Sequence, residues 1–167
     1  MEADYLIGSF ATWPISERDF ALTQERTELS DGDWGPQGFQ LCAGTLDYKK
    51  TLKLNESPRG PYYVRLYGER GTACVVRLYG QPVARLGWAP LEAGITHLVH
   101  KGDNYLEVEV VTSLRNTFSP LHNDRYKTED DQFGVGPRAF EDPKHWTDAF
   151  WFEPYYLEAV DLLREEI

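Results

Sequence analysis

Residues 74–86 read Cys74-Val75-Val76-Arg77-Leu78-Tyr79-Gly80-Gln81-Pro82-Val83-Ala84-Arg85-Leu86. Residues 101–112 read Lys101-Gly102-Asp103-Asn104-Tyr105-Leu106-Glu107-Val108-Glu109-Val110-Val111-Thr112. In the first stretch Cys74, Val76 and Leu78 share one parity, and Arg77 and Tyr79 take the other. Tyr79-Gly80-Gln81-Pro82 is a turn signal between two strand-like runs, so the stretch reads as a β-hairpin. In the second, Leu106, Val108 and Val110 alternate with Glu107 and Glu109, the cleanest alternation in the chain. A period of two predicts a strand with one apolar and one wet face. Lys101-Gly102-Asp103-Asn104 is the turn before it, and Gly87-Trp88-Ala89-Pro90 is a corner between the two stretches.

The same pattern extends outward. Leu46, Tyr48, Leu52 and Leu54 share a parity broken only by Lys50, and Asp47, Lys49, Thr51 and Lys53 take the other. Tyr62, Val64 and Leu66 oppose Tyr63, Arg65 and Tyr67. Tyr5-Leu6-Ile7-Gly8-Ser9-Phe10 is a short strand candidate, ended by a turn at Trp13-Pro14. Asp31-Gly32-Asp33-Trp34-Gly35-Pro36 and Asn55-Glu56-Ser57-Pro58-Arg59-Gly60-Pro61 are loops by their turn residues. From Ser113 to Pro143 periodicity dissolves for roughly thirty residues, a length that marks functional or disordered loops. Apolar character returns at His145-Trp146 and Phe150-Trp151-Phe152. The end, Tyr155 to Ile167, fits two descriptions. Leu157, Val160, Leu163 and Ile167 have helical spacing, while Pro154 and the paired tyrosines suit a closing strand.

Short strands with turn signals between them predict an all-β fold, a sandwich or barrel. With 167 residues the chain fits one domain spanning 1–167, with a long irregular loop over about 113–145. Aromatic residues make up 14% of it, which favours pleated, half-buried surfaces. The formal net charge is −10, so phosphate backbones and anionic membrane surfaces are disfavoured partners. No apolar stretch reaches the roughly 20 residues that cross a bilayer. Nor does the acidic start after Met1 resemble a signal peptide. A bacterial source would favour the periplasm or the exterior. Cys42 and Cys74 lie in apolar strand-like contexts and are expected to be buried free thiols.

Several pieces, in order, resemble the C-terminal galactose-binding-like domain of large bacterial glycoside hydrolases, the α-L-rhamnosidase-like proteins above all. They are Tyr5-Leu6-Ile7-Gly8, Gly32-Asp33-Trp34 with Gln37-Gly38-Phe39, and Ala43-Gly44-Thr45 with Tyr48. The resemblance continues through Val76 to Val83, Gly87-Trp88-Ala89-Pro90, Ile95-Thr96 and Gly102-Asp103-Asn104. It closes on Asn116, Pro120, His122 and the run from Trp146 to Tyr155. Tyr79-Gly80 departs from it, standing where many relatives carry Asn-Gly, and Tyr156 replaces an expected glycine. The resemblance implies a single β-sandwich of jelly-roll type, an accessory domain that binds carbohydrate or braces a catalytic domain, without turning over substrate itself. Such folds also serve as inert modules.

A sugar site needs aromatic faces for the pyranose ring and fixed polar groups for its hydroxyls. Trp88, Trp34 and Tyr67 are the stacking candidates, with Arg115, Asn116, His122 and Asn123 as hydrogen-bonding candidates on the loop that follows the best strand. Trp34 and Trp88 have a competing explanation as core or corner residues, since large aromatics mostly bury area. Asn116 and His122 have one as turn formers. A general acid–base pair would need two carboxylates several Å apart. Glu129, Asp130 and Asp131 are adjacent and too crowded for that, and nothing in the sequence brings Asp33, Glu141 and Asp142 together. His97 and His100 lack further zinc-type partners. A structural Ca²⁺, which the resemblance also suggests, would draw on Asp31, Asp33, Asp130 and Asp131. Gly134 and Gly136 lack the lysine and helix of a phosphate loop, and Ser113 and Ser119 lack a nucleophile elbow. An interaction module is the alternative function, with the aromatic-rich segment from Trp146 to Tyr156 packing on a neighbouring domain or a second copy. A small stand-alone glycan hydrolase or lyase ranks third.

Overall fold

The computed structural model describes residues 6–16, 19–30, 32–118, 121–123 and 146–164, and at 118, 121–123 and 146–151 it describes the backbone alone. The strands are β1 (Ala11–Pro14), β2 (Phe20–Thr23), β3 (Thr45–Leu54), β4 (Tyr62–Tyr67), β5 (Ala73–Leu78) and β6 (Gln81–Leu86). They continue as β7 (Glu92–Gly94), β8 (Gly102–Val111), β9 (Leu121–Asn123), β10 (Trp146–Trp151) and β11 (Ala159–Arg164). A 3-10 turn covers Gly35–Gln37, and a single helical turn, α1, covers Arg115–Phe118. All strand pairs are antiparallel. Two compact units form. One comprises Met1–Ser30, Trp34–Cys42 and Leu114–Pro154; the other comprises Asp31–Asp33, Ala43–Ser113 and Tyr155–Ile167.

The second unit is a β-sandwich, as the alternation predicts. One sheet has the order β3-β8-β5-β6 and the other β11-β4-β7. Inward rows of both sheets are buried: Cys74, Val76, Leu78, Leu106, Val108 and Val110 from the first, Tyr62, Val64, Leu66 and Ala93 from the second. Burying each large aliphatic contributes roughly 1.5–3 kcal/mol over leaving it exposed. The break in parity at Lys50 has a simple cause. β3 is an edge strand, and Lys50 reaches past the core so that Nζ donates to the Val160 carbonyl of β11 at 2.9 Å. Tyr48, from the same strand, accepts the Leu157 N–H on its hydroxyl at 3.0 Å. Pro82 lies in β6, the opposite edge, where a missing N–H costs no ladder bond.

The ambiguous C-terminal segment becomes a strand. β11 pairs with β4 from Ala159 opposite Tyr67 to Arg164 opposite Tyr62. An unpaired β4 edge would leave a row of backbone groups without partners, and that requirement outweighs the helical spacing.

The first unit holds the hairpin β1-β2 and the pair β9-β10. The strand expected over Tyr5–Phe10 forms instead at Ala11–Pro14, through the expected turn. Pairing decides this: Ala11–Pro14 faces β2, and the Thr12 N–H donates to the Gly38 carbonyl at 2.9 Å. Leu6 and Ile7 are exposed instead. Gly38 ends the 3-10 turn at φ 109°, and a Cβ there would lie 2.9 Å from that of Ala11. Within the expected irregular stretch of 113–145, α1 and β9 supply regular structure; 124–145 lie outside the described residues.

Both cysteines are free, as expected, with Cys74 buried and Cys42 half-buried. Burial, and then the charge of Glu25, pushes the Cys42 thiol up. Burial, and then Glu69, pushes Cys74 from 9.0 up to about 12. The unfolded Cys74 thiol therefore ionises before the folded one does. Its contribution to stability is complete below pH 9.0 and is lost as pH rises toward about 12. Iodoacetamide at pH 8 is expected to spare Cys74 in folded protein and modify it in urea. Equal labelling rates in the two states, read by peptide mass spectrometry, would contradict this burial.

Candidate functional site

The residues expected to bind sugar fall in different environments. Trp88 follows β6 in the corner expected from the sequence, beside a cis Ala89–Pro90 bond. It is 85% exposed, so its ring is available to a ligand. Trp34 is 1% exposed and caps the 3-10 turn, its carbonyl accepting from the Gln37 and Phe39 amides. That burial corrects the expectation that Trp34 stacks on a sugar, because no ring face reaches solvent.

Arg115 and Asn116 both turn to Glu153. Arg115 Nη1 lies 2.9 Å from Glu153 Oε1. Asn116 is 1% exposed. Its Nδ2 donates to the Glu153 carbonyl at 2.8 Å, and its Oδ1 accepts the Glu153 N–H at 2.9 Å. An amide used in both directions on one backbone residue clamps α1 to the segment after β10. Asn116 is thereby corrected from ligand to clamp. The side chains of His122 and Asn123 lie outside the described residues.

Tyr67 is 37% exposed, and its hydroxyl accepts from Arg65 Nη1 at 3.4 Å. Of the four carboxylates considered for Ca²⁺, Asp33 is described; its Oδ1 accepts the Tyr155 N–H at 3.2 Å. Among the described residues no group of three or more metal-type side chains converges. Glu129, Asp130, Asp131, Glu141 and Asp142 lie outside them.

A second aromatic surface emerges where the sequence offered only a turn. Leu78 pairs with Gln81, so Tyr79-Gly80 is a two-residue hairpin loop. Both residues have positive φ, 53° at Tyr79 and 77° at Gly80. Two such residues make the tight turn whose twist suits a hairpin, a position that favours Asn-Gly. A tyrosine there costs on the order of 1–2 kcal/mol. Contacts with three residues offset the cost. The Tyr79 hydroxyl donates to Asn104 Oδ1 at 2.6 Å, with His100 Nε2 2.8 Å from the same oxygen. The Tyr79 ring stacks on His100 at 5.6 Å and 10°. It also meets Tyr105 edge-on at 6.1 Å and 84°.

Asn104 anchors this group. It is 0% exposed. Its Nδ2 donates to the carbonyls of Leu52, His100 and Gly102 at 3.3, 2.9 and 3.0 Å. Its Oδ1 also accepts the His100 N–H at 2.9 Å. Beside the hairpin runs an open groove whose lining includes Lys49, Lys50, Thr51, Gly80, Tyr105 and Glu107. It holds about 210 Å³, less than the roughly 300–1,000 Å³ of an enclosed small-molecule site. A ligand there rests against a surface and is not engulfed. Alternation placed Glu107 on the wet face, whose parity Tyr105 shares, but did not show which cross-strand partners meet them. The departure at Tyr79-Gly80 was the one sequence signal of this cluster.

No family model matches the chain, and no curated protein does. Solved structures similar to it include a rhamnosidase from Novosphingobium sp. PP1Y, 18% identical with a TM-score of 0.48, covering 96% of this chain and 15% of that one. A glycosyl hydrolase family 2 member from Bacteroides cellulosilyticus is 12% identical with a TM-score of 0.43, over 93% of this chain and 19% of that one. A β-glucuronidase from Bifidobacterium dentium is 20% identical with a TM-score of 0.42, over 62% of this chain and 19% of that one. The chain thus spans less than a fifth of the length of each.

Removing the anchor tests its role. Asn104→Ala removes the hydrogen bonds of a buried amide to the Leu52, His100 and Gly102 carbonyls and to the Tyr79 hydroxyl, and is expected to destabilise by about 2–4 kcal/mol. Leu98→Ala, at a site 48% exposed, is expected to stay within about 0.5 kcal/mol of the parent. Urea unfolding followed by circular dichroism measures both; equal midpoints would contradict the anchor.

Proposed function

We propose that this protein is a non-catalytic accessory domain of a larger glycoside-hydrolase-like protein and that it binds carbohydrate. The observation that carries this reading is Trp88, 85% exposed on a short corner of a sandwich. A free indole face offers a pyranose ring an apolar platform at little entropic cost, because the ring has only two side-chain torsions. The order of sequence pieces resembling galactose-binding-like accessory domains supports the same reading. Binding by such a surface involves no covalent step, and it is modest in affinity because one face of the ligand stays in water.

A second reading, an interaction module that packs on a catalytic domain or a second copy, has its own support in the first unit. Leu6, Ile7, Trp13, Ile15 and Leu22 are 47–92% exposed there, and large exposed apolar side chains in one region favour association. The side chains of Trp146 to Trp151, which the sequence suggested for this role, lie outside the described residues.

Titration calorimetry on a sugar selected from a glycan panel separates the two. Trp88→Ala is expected to weaken binding by about tenfold or more while keeping the unfolding midpoint within about 0.5 kcal/mol of the parent. Unchanged affinity would remove Trp88 from the site. Sugar binding to none of the panel, with mass rising with concentration in sedimentation equilibrium, would favour the interaction module.

A further inference from the structure

We propose that the groove beside the Tyr79-Gly80 hairpin is a second carbohydrate site, that its ligand is an uncharged pyranose sugar, and that Tyr105 is its platform. This inference rests on the carbohydrate-binding reading above and names a different surface and a ligand class for it. Tyr105 is 59% exposed on β8, level with the turn of the β5–β6 hairpin, where an aromatic ring offers a flat apolar surface. The ring is held in place: Tyr79 meets it edge-on, and Tyr79 is fixed by Asn104 and His100. Such a platform costs little ordering entropy when a ligand arrives.

The hairpin supplies a second argument. Tyrosine at φ 53° is an uncommon choice at a position where asparagine fits without strain. A backbone outlier of this kind, sustained by a dedicated buried side chain, is a pointer to function. Its neighbour Gly80 opens the groove, for a Cβ added there would meet nothing within 4 Å.

Charge and hydrogen bonding select the ligand class. In register, Lys49 lies opposite Glu107 and Thr51 opposite Tyr105. Glu107 Oε1 lies 3.3 Å from Arg77 Nε, and Glu109 Oε2 lies 2.6 Å from Arg77 Nη2. On this face Lys49, Lys53, Arg77 and Arg85 stand with Asp47, Asp103, Glu107 and Glu109, four of each sign, and Lys50 in the groove lining turns its ammonium to the Val160 carbonyl. Positive charge is matched by negative, so nothing is left over to recruit an anion. What remains is a mixed set of donors and acceptors. The Lys49 ammonium donates, the Glu107 carboxylate accepts, and the Thr51 hydroxyl does both. Sugar hydroxyls likewise donate and accept, and the axial C–H face of a pyranose matches the ring of Tyr105.

The test is an amide-resolved NMR titration of the full chain with galactotriose, cellotriose and L-rhamnose as uncharged probes and trigalacturonate as the anionic one. At least one uncharged probe is expected to shift the amides of Thr51, Gly80, Tyr105 and Glu107. Tyr105→Ala is expected to weaken that binding about tenfold, while Tyr105→Phe, which keeps the ring, stays within about twofold. Response to trigalacturonate alone would overturn the ligand class. Shifts confined to the corner around Trp88 would overturn the groove and leave the carbohydrate reading standing. No response to any probe, from protein shown to be folded by the same spectra, would overturn both.

Discussion

One buried amide sets the geometry at the hairpin end of the sandwich. Asn104 is enclosed at the start of β8 and uses both polar atoms of its side chain: the two N–H of Nδ2 are shared among three carbonyls, and Oδ1 accepts twice. Those bonds tie β3 at Leu52, the turn at His100 and Gly102, and the β5–β6 hairpin at Tyr79 to one point. A buried amide left half-satisfied would cost stability, so this group is rigid only because it is complete. The conformation of Tyr79 follows from it, and the posture of Tyr105 follows from Tyr79.

The polar side chains divide by what they touch. Asn104 and Asn116 face backbone and are buried, and each joins segments far apart in sequence. Arg65 and Arg77 pair with glutamates on neighbouring strands at the surface, where ion pairs contribute little to stability but fix the layout of charge. Lys49, Thr51 and Glu107 line open space. The donors and acceptors of Lys49, Thr51 and Glu107 thus face the groove, while the side-chain amides of Asn104 and Asn116 are taken up within the fold.

The sandwich was legible because its strands alternate. β4, β5 and β8 lie where Val64, Val76 and Val108 mark the inward parity. Lys50 looked like an error in that pattern, and its cause, a carbonyl on β11, belongs to a strand 110 residues away. The last segment was undecided for the same reason: the β4 edge that captures it is not local information. Candidate sites were less legible. A tryptophan reads alike whether enclosed, as Trp34 is, or exposed, as Trp88 is. Asn116 reads as ligand or turn former until its partner, Glu153, is known. The aromatic group at Tyr79 depends on cross-strand register and on one buried amide, neither of which appears in a single strand's pattern.

The proposal that this sandwich, with its exposed aromatic faces and mixed donors and acceptors, is a surface for sugars is open to direct test. The decisive measurement is a glycan-array screen of the purified, folded protein. Saturable binding to a defined glycan is the expected result. A clean negative across the array would contradict sugar binding and leave the domain a packing module.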